Sequence, residues 1–309
     1  MTIVQPIKYE WLSCNAPDDD SIATWSSGSA YKKLQAVEYL GRIYKAAKDI
    51  ASSKEQPSVA VNDWVDFGAV NSRAFCDELI SSQTRKDTKQ DSREYLELSI
   101  NLSDYCDMFA FINLNAYKIE FVSHDFRNVK NWHEYFYMDF AFHTVKREVM
   151  NWWQYFYSPL EIKTQRVIKT PYKVKGELTI RIYGINDYAK LGMLVCGTGF
   201  YIGETLRGAQ VGAISYTKKI TDEWGNSTIR KGRTAKKNQY TVVTETSRSD
   251  SITDALNKSL EAGVCVFMGD SRDRDGYDSL AVMGILTEFD LSISTLPYSE
   301  LSVGIEGII

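Results

Sequence analysis

The sequence predicts a mainly β protein with an α+β C-terminal domain, and two observations lead to this fold class. Apolar and polar residues alternate with a period of two over several segments between residue 95 and residue 305. This period is typical of half-buried antiparallel strands. The second observation is a helical pattern that starts after Ser249-Asp250 and stops at Gly263, which places one helix among the C-terminal strands.

The strands are predicted from segments in which every second residue is apolar. Between residues 95 and 102, Leu96, Leu98 and Ile100 share one face, and polar residues share the other. The same pattern returns at residues 178–183, 289–293 and 301–305. We therefore expect four antiparallel strands, two of them at the C-terminal end.

Three segments have helical spacing. Residues 251–262 carry Ile252, Ala255 and Leu256 on one face, and we predict a helix there. Residues 145–157 favour a second helix that ends before Pro159, although their aromatic residues also suit a strand. The spacing of residues 37–50 fits a helix, but Gly41 and two aromatic residues fit a short strand pair equally well.

The composition indicates a globular protein. The chain has 309 residues, of which 44% are hydrophobic and 13% aromatic, enough for one large or two to three smaller cores. The formal net charge of −4 argues against a general nucleic-acid binder held by counterion release. The longest apolar stretches fall far short of the roughly 20 residues that cross a bilayer, so we expect no membrane span and no signal peptide.

The cysteines and histidines predict neither a metal site nor a disulfide framework. The five cysteines include no Cys-x-x-Cys pair, and we expect reduced, mostly buried thiols. The histidines are His124, His133 and His143, and no His-Glu-x-x-His spacing places two of them on one helical face. Gly-x-Ser-x-Gly, the turn that exposes a nucleophilic serine, is absent. We predict no enzyme activity and no cofactor, while a pair of glycosidase carboxylates stays open because it depends on separation in space.

Two glycine-containing segments resemble ligand loops but depart from them. Gly197, Gly199 and Gly203 follow an apolar strand at a spacing that differs from the dinucleotide fingerprint, so we predict turn glycines. Asp273 and Asp275 alternate as in a calcium loop, but Arg272 and Arg274 interleave with the aspartates and the closing glutamate is missing. A solvated turn is the better interpretation of the second segment.

The charges of the last third of the chain are segregated. A basic segment lies on both sides of a turn signal at residues 222–226, which predicts a hairpin. Such a ribbon could meet an acidic face of a neighbouring subunit, or it could be a solvated hairpin on a monomer. The predicted assembly residues are Lys218, Arg230, Lys231, Arg233, Lys236 and Lys237, with Asp273, Asp275 and Asp278 as their acidic partners.

The most specific motif is Trp64-x-x-x-Gly68-x-x-Asn71, with Trp25 and Tyr31 before it. This motif resembles a family of tailed-bacteriophage virion proteins. The similarity continues in order through short segments at residues 178–183, 191–197, 202–205, 222–226 and 305–308. The resemblance implies a small chitin-binding-like β module at residues 1–62, a jelly-roll or galactose-binding-like sandwich at 63–200 and an α+β assembly domain at 201–309.

The resemblance also implies a function. The chain would be a non-enzymatic component of the tail, as a minor tail, neck or baseplate-like protein that forms a homo-oligomer and supports fibre attachment. It would assemble in the host cytoplasm and reside in the virion tail, with other tail proteins or fibres as partners. The alternative is a carbohydrate-binding protein that adsorbs to host surface glycans, with Trp25, Tyr31 and Trp64 stacking on sugar rings.

Overall fold

The computed structural model confirms a mainly β fold with large antiparallel sheets. The structure describes residues 1–77, 82–88, 95–123, 140–143, 145–146, 151–157, 161–162, 164–221, 223–225, 227–269, 278–293 and 297–308. The predicted strands at 95–102, 178–183, 289–293 and 301–305 are confirmed, except that the third ends at Ser292. The jelly-roll-like connectivity stays a prediction.

Twenty-three strands are defined by the described residues. In chain order they are β1 (Thr2–Pro6), β2 (Tyr9–Cys14), β3 (Ala23–Thr24), β4 (Ala36–Tyr39), β5 (Arg42–Ala46), β6 (Trp64–Ala69), β7 (Thr84–Asp87), β8 (Tyr95–Ile112), β9 (Lys118–Ser123), β10 (Phe140–His143), β11 (Val145–Lys146), β12 (Glu161–Ile162), β13 (Gln165–Tyr183), β14 (Tyr188–Leu191), β15 (Met193–Tyr201), β16 (Glu204–Thr205), β17 (Gln210–Ser215), β18 (Lys218–Thr221), β19 (Ser227–Arg230), β20 (Thr234–Glu245), β21 (Val264–Met268), β22 (Ala281–Ser292) and β23 (Tyr298–Gly307).

Thirteen of these strands form one long sheet. Its order is β10-β9-β13-β8-β15-β1-β21-β22-β23-β20-β16, with β2 paired to β8 and β17 paired to β20. Strand β1 lies between β15 and β21 and is antiparallel to both. The N-terminal strand therefore joins the half of the sheet built from residues 95–201 to the C-terminal half.

A separate four-stranded sheet, ordered β3-β4-β5-β6, forms the small N-terminal unit. Its strands β4 and β5 settle the open choice at residues 37–50 in favour of a strand pair. Leu40 and Gly41 both have positive φ, and Tyr39 lies opposite Arg42, so two residues close the hairpin. Two positive φ angles match the twist of a tight β-hairpin and are incompatible with a continuous helix.

The observed strand groups differ from the three predicted segments. The four-stranded sheet ends at Ala69, and β1 and β2 belong to the long sheet. The predicted N-terminal module instead spans residues 1–62. Strand β1 has Ile3 and Val4 buried on opposite faces, so it lacks the alternation that marks a half-buried strand. The long sheet also continues across the predicted boundary at residue 200 between the sandwich and the assembly domain.

Two α-helices are formed by the described residues, α1 (Trp152–Tyr157) and α2 (Ser249–Ala262). Helix α2 confirms the helix at 251–262. It buries Ile252, Ala255 and Leu256 and is followed by Gly263, whose φ of 77° ends the helix. Helix α1 covers only the end of the predicted segment, whose start is strand β11. Short 3-10 helices span Asn71–Cys76, Thr246–Arg248 and Asp278–Leu280.

The core consists of separate apolar clusters. The largest contains alternate residues of β8, β9 and β13, including Leu96, Leu98 and Ile180. A second joins α2 to the C-terminal half of the sheet through Leu256, Val242 and related residues. Helix α2 therefore covers one face of the C-terminal sheet. None of the helices in the described part of the chain is both long and apolar enough to cross a bilayer.

The prediction that Gly197 and Gly199 are turn glycines is wrong, because both lie inside strand β15. A Cβ atom on Gly197 would lie 2.3 Å from the carbonyl oxygen of Gln5, and one on Gly199 would lie 2.3 Å from the sulfur of Met108. Close approach of neighbouring strands, rather than a turn, accounts for these two glycines.

Candidate assembly surface

A long two-stranded ribbon leaves the edge of the C-terminal sheet. Its base is formed by β17 and β20, with Ser215 opposite Thr234. Its outer part is the hairpin of β18 and β19, in which Lys218 lies opposite Arg230 and Thr221 lies opposite Ser227. This pairing confirms the hairpin that the turn signal at residues 222–226 predicts. We call residues 210–239 the basic ribbon.

The outer part of the basic ribbon is exposed on both faces. Every residue of β18 and β19 is exposed. Ile220 and Ile229 point to opposite faces of the hairpin and are both exposed, and Trp224 near its tip is 88% exposed. A two-stranded hairpin without a covered face is marginally stable in water. The exposed apolar side chains make the ribbon a candidate association surface.

The predicted basic residues come together on this ribbon. All six are exposed, and Lys219, which is not among the predicted residues, adds a seventh positive charge. Glu223 is the acidic residue described between the two strands. The seven residues are Lys218, Lys219, Arg230, Lys231, Arg233, Lys236 and Lys237.

Tyr216 anchors the ribbon to the sheet. Its hydroxyl donates a hydrogen bond of 2.7 Å to Oε1 of Glu306 in β23. This hydrogen bond raises the pKa of the Tyr216 hydroxyl above its ordinary value, because it favours the neutral phenol beside a carboxylate. The backbone closes tightly at the same point, where the N–H of Tyr216 donates to the carbonyl of Arg233. The base of the ribbon is fixed, while its outer hairpin is solvated.

The predicted acidic partners cannot be placed on the ribbon. Asp273 and Asp275 lie outside the described residues, and Asp278 begins a 3-10 helix in which its side chain is not described. The structure instead brings other exposed carboxylates together on the C-terminal sheet, at Glu204, Glu288, Asp290 and Glu300. The alternation of residues 289–293 places Asp290 on a solvent face, but the sequence does not reveal which strands adjoin it.

The structure buries two of the three aromatic residues predicted to stack on glycans. Trp64 is 2% exposed and Tyr31 is 7% exposed, and their rings meet edge to face with centroids 5.1 Å apart. Trp25 is half-buried and donates a hydrogen bond to the hydroxyl of Ser53. Sugar stacking needs an exposed ring face, so the prediction that Trp64 and Tyr31 stack on glycans is wrong. Both are core residues of the four-stranded sheet.

Helix α1 instead carries exposed aromatic rings. Trp152 is 79% exposed and Trp153 is 67% exposed, and the neighbouring rings of Phe156 and Tyr157 are exposed as well. Trp152 and Phe156 stack at an interplanar angle of 22°, and Trp153 packs against Tyr157. This spacing by four residues places the two pairs side by side on the helix surface.

The thiols are free, as predicted, and are placed for packing. All five cysteines are unpaired, three of them buried. Burial raises the pKa of Cys14 to about 11 and that of Cys76 to about 12, so both are protonated and poorly nucleophilic at neutral pH. A hydrogen bond with Cys196 lowers the pKa of Cys106, but the Cys106 side chain is fully buried.

The side chains of the three histidines lie outside what the structure describes. His124 and His133 lie outside the described residues, and His143 belongs to β10, where its side chain is not described. Within the described ranges, no three His, Cys, Asp or Glu side chains are grouped as metal ligands would be.

Comparison of the chain with protein-family models, curated proteins and solved structures finds no match.

Proposed function

We propose that the chain is a non-enzymatic structural protein whose copies join through the basic ribbon. One observation carries this proposal: an apolar and strongly basic hairpin extends from the sheet with neither face covered. Exposed surfaces of this kind are typical of association sites. Copies that join by a head-to-tail contact close into a ring or extend as a filament, according to the rotation between subunits.

The local energetics of the ribbon support association. Lys218 lies directly opposite Arg230, and like charges directly opposite in a strand pair are destabilising. The high density of positive charge therefore lowers the stability of the isolated ribbon. An acidic partner surface would offset that repulsion and, because Lys218, Ile220 and Arg230 share a face, would cover Ile220 as well.

Within this proposal the assembly is a bacteriophage tail, with the chain as a minor tail, neck or baseplate-like component beside other tail proteins or fibres. Its support is the ordered resemblance that begins at Trp64-x-x-x-Gly68-x-x-Asn71. Assembly in the host cytoplasm and residence in the virion tail belong to the same proposal.

The test of self-assembly is size-exclusion chromatography with light scattering at low and high salt. We expect a defined oligomer that weakens as salt rises, because the Debye length falls from about 30 Å at 0.01 M to about 3 Å at 1 M. Lys218→Glu/Lys219→Glu/Arg230→Glu, which reverses three ribbon charges, should leave a folded monomer. A wild-type chain that stays monomeric at low salt and high concentration would contradict the proposal.

Glycan binding is a second candidate, and helix α1 is the observation that favours it. Its exposed rings offer the flat faces on which sugar rings stack. Trp152 and Trp153 take the place of the buried Tyr31 and Trp64 in this candidate. A glycan array probed with the wild type and with Trp152→Ala tests it, and an unchanged signal would exclude Trp152 from the site.

A further inference from the structure

Where β16, β20, β22 and β23 adjoin, one face of the C-terminal sheet carries exposed carboxylates. Helix α2 covers the opposite face, where Tyr240, Val242 and Leu301 are buried. Residues directly opposite each other in antiparallel strands share a face. The strand registers therefore assign Glu204, Glu288, Asp290 and Glu300, all exposed, to the open face. We call these four residues and the surface between them the open acidic face.

The registers fix how these carboxylates are arranged. Glu204 lies opposite Val243 of β20, which lies opposite Glu300 of β23. Strands are about 4.8 Å apart, so Glu204 and Glu300 stand about 10 Å apart across the sheet. Glu300 also lies opposite Ser292, which makes Asp290 its diagonal neighbour at about 7–8 Å. The negative charges thus follow the spacing of a β-ladder.

Glu288 extends this arrangement toward the base of the ribbon. It pairs with Gly304, and a Cβ atom on Gly304 would lie 3.0 Å from Cγ of Glu288. The Glu288 side chain therefore lies across the open face over the glycine. No described residue forms a salt bridge with the carboxylates of the open acidic face.

We propose that the open acidic face receives the basic ribbon of a second copy of this chain. This inference rests on the proposed self-assembly and names its acceptor. In the hairpin, Lys218 and Arg230 stand one strand spacing apart on one face, and Ile220 and Thr228 are the next pair on that face. A ribbon laid on the sheet by this face can therefore set two positive charges and one apolar side chain against the carboxylates at once, which fixes register and orientation.

The occupant is a second copy because the described residues of one chain leave both surfaces exposed. The hairpin of β18 and β19 is exposed on both faces. The four carboxylates of the open acidic face are exposed as well. Exposed Ile285 and Tyr298 lie on the same side of the sheet and give apolar contact for Ile220 or Ile229. Donor and acceptor surfaces differ, so the contact is heterologous and leads to a ring or a filament.

Nucleic acid is the competing occupant of the ribbon. A two-stranded ribbon with lysines and arginines fits a major groove. The chain as a whole carries a net charge of −4, and the open acidic face belongs to the same sheet as the base of the ribbon. These charges repel a polyanion lying along the ribbon and attract a second basic ribbon.

Reciprocal charge reversal tests the acceptor. The ribbon variant is Lys218→Glu/Lys219→Glu/Arg230→Glu, and the face variant is Glu288→Lys/Asp290→Lys/Glu300→Lys. Each variant alone should self-associate at least tenfold more weakly than the wild type in analytical ultracentrifugation, because its ribbon and face carry like charges. An equimolar mixture should reassemble, since each ribbon then meets an oppositely charged face. A chain with all six substitutions should reassemble by itself.

A matched control separates the acceptor from a general charge effect. Glu10→Lys/Asp20→Lys/Glu261→Lys makes the same change in net charge at exposed positions away from the face, and it should assemble like the wild type. Circular dichroism confirms that every variant is folded. If the ribbon variant is monomeric but the face variant assembles normally, the acceptor is wrong while self-assembly stands.

Two further outcomes would also overturn the inference. A mixture of the two variants that fails to reassemble would show that the lost association is not a charge match between ribbon and face. A wild-type chain that is monomeric at low salt would remove self-assembly and the acceptor together. Ribbon-dependent binding of a DNA duplex by such a monomer would assign the ribbon to nucleic acid instead.

Discussion

At the scale of single residues, the aromatic side chains have two different roles that the sequence does not distinguish. Trp64 and Tyr31 hold the small sheet together, and Trp152 and Trp153 project from a short helix. Burial depends on which strands cover the ring, and here Val37 of β4 and Tyr44 of β5 pack with both rings in one cluster.

We expect Trp64→Ala to lower the free energy of unfolding by about 3–5 kcal/mol, because it removes a large buried ring and leaves a cavity. Trp152→Ala is the matched control, since an exposed ring contributes within about 0.5 kcal/mol to stability. Urea unfolding followed by circular dichroism measures both. Equal stabilities of the two variants would contradict the assignment of Trp64 to the core.

At the scale of elements, the alternation of apolar and polar residues predicts the strands that have one solvent-facing and one buried face. Residues 95–102 and 301–305 are of this kind. The pattern could not find β1, whose two faces are both buried, nor β4 and β5, which are short and joined by a positive-φ turn. Helix α2 was found because its apolar face and its terminal Gly263 are local in sequence.

Only the basic half of the candidate site could be predicted from the sequence, because only that half is local in sequence. The basic ribbon is one continuous segment, so its charges could be read in order. The open acidic face is assembled from β16, β22 and β23, whose neighbours are fixed by β20 and by the strand registers. No local pattern in the sequence brings Glu204 beside Glu300.

The ribbon anchor gives a pH-dependent prediction. Hydrogen bonding to Glu306 raises the pKa of Tyr216, so the bond is present below about pH 10, the ordinary tyrosine pKa, and is lost as pH rises through the raised value. A titration followed by the carbon-13 signal of the Tyr216 ring should show a midpoint above 10. Glu306→Gln should move that midpoint down, because the neighbouring carboxylate charge is gone.

Glu300→Gln is the control for this titration. It removes a carboxylate from the same strand without touching Tyr216, and it should leave the Tyr216 midpoint nearly unchanged. Tyr216→Phe assigns the signal. Identical midpoints in the wild type and Glu306→Gln would show that the anchor does not form in solution.

At the scale of the whole molecule, β1 is the strand through which the two halves of the long sheet are joined. It pairs with β15 on one side and with β21 on the other. Ile3 packs into the cluster that contains α2, and Val4 packs into the cluster on the opposite face. The chain therefore uses its first strand to unite clusters that are otherwise built from distant segments.

This placement predicts that β1 controls the cooperativity of unfolding. Ile3→Ala should lower the free energy of unfolding by about 2–5 kcal/mol, because Ile3 is fully buried. Since β1 couples the two halves, we also expect one calorimetric transition in the wild type to separate into two in the variant. Leu12→Ala, on the exposed side of β2, is the control and should keep a single transition near the wild-type temperature. A single transition in Ile3→Ala with unchanged stability would show that the halves are joined elsewhere.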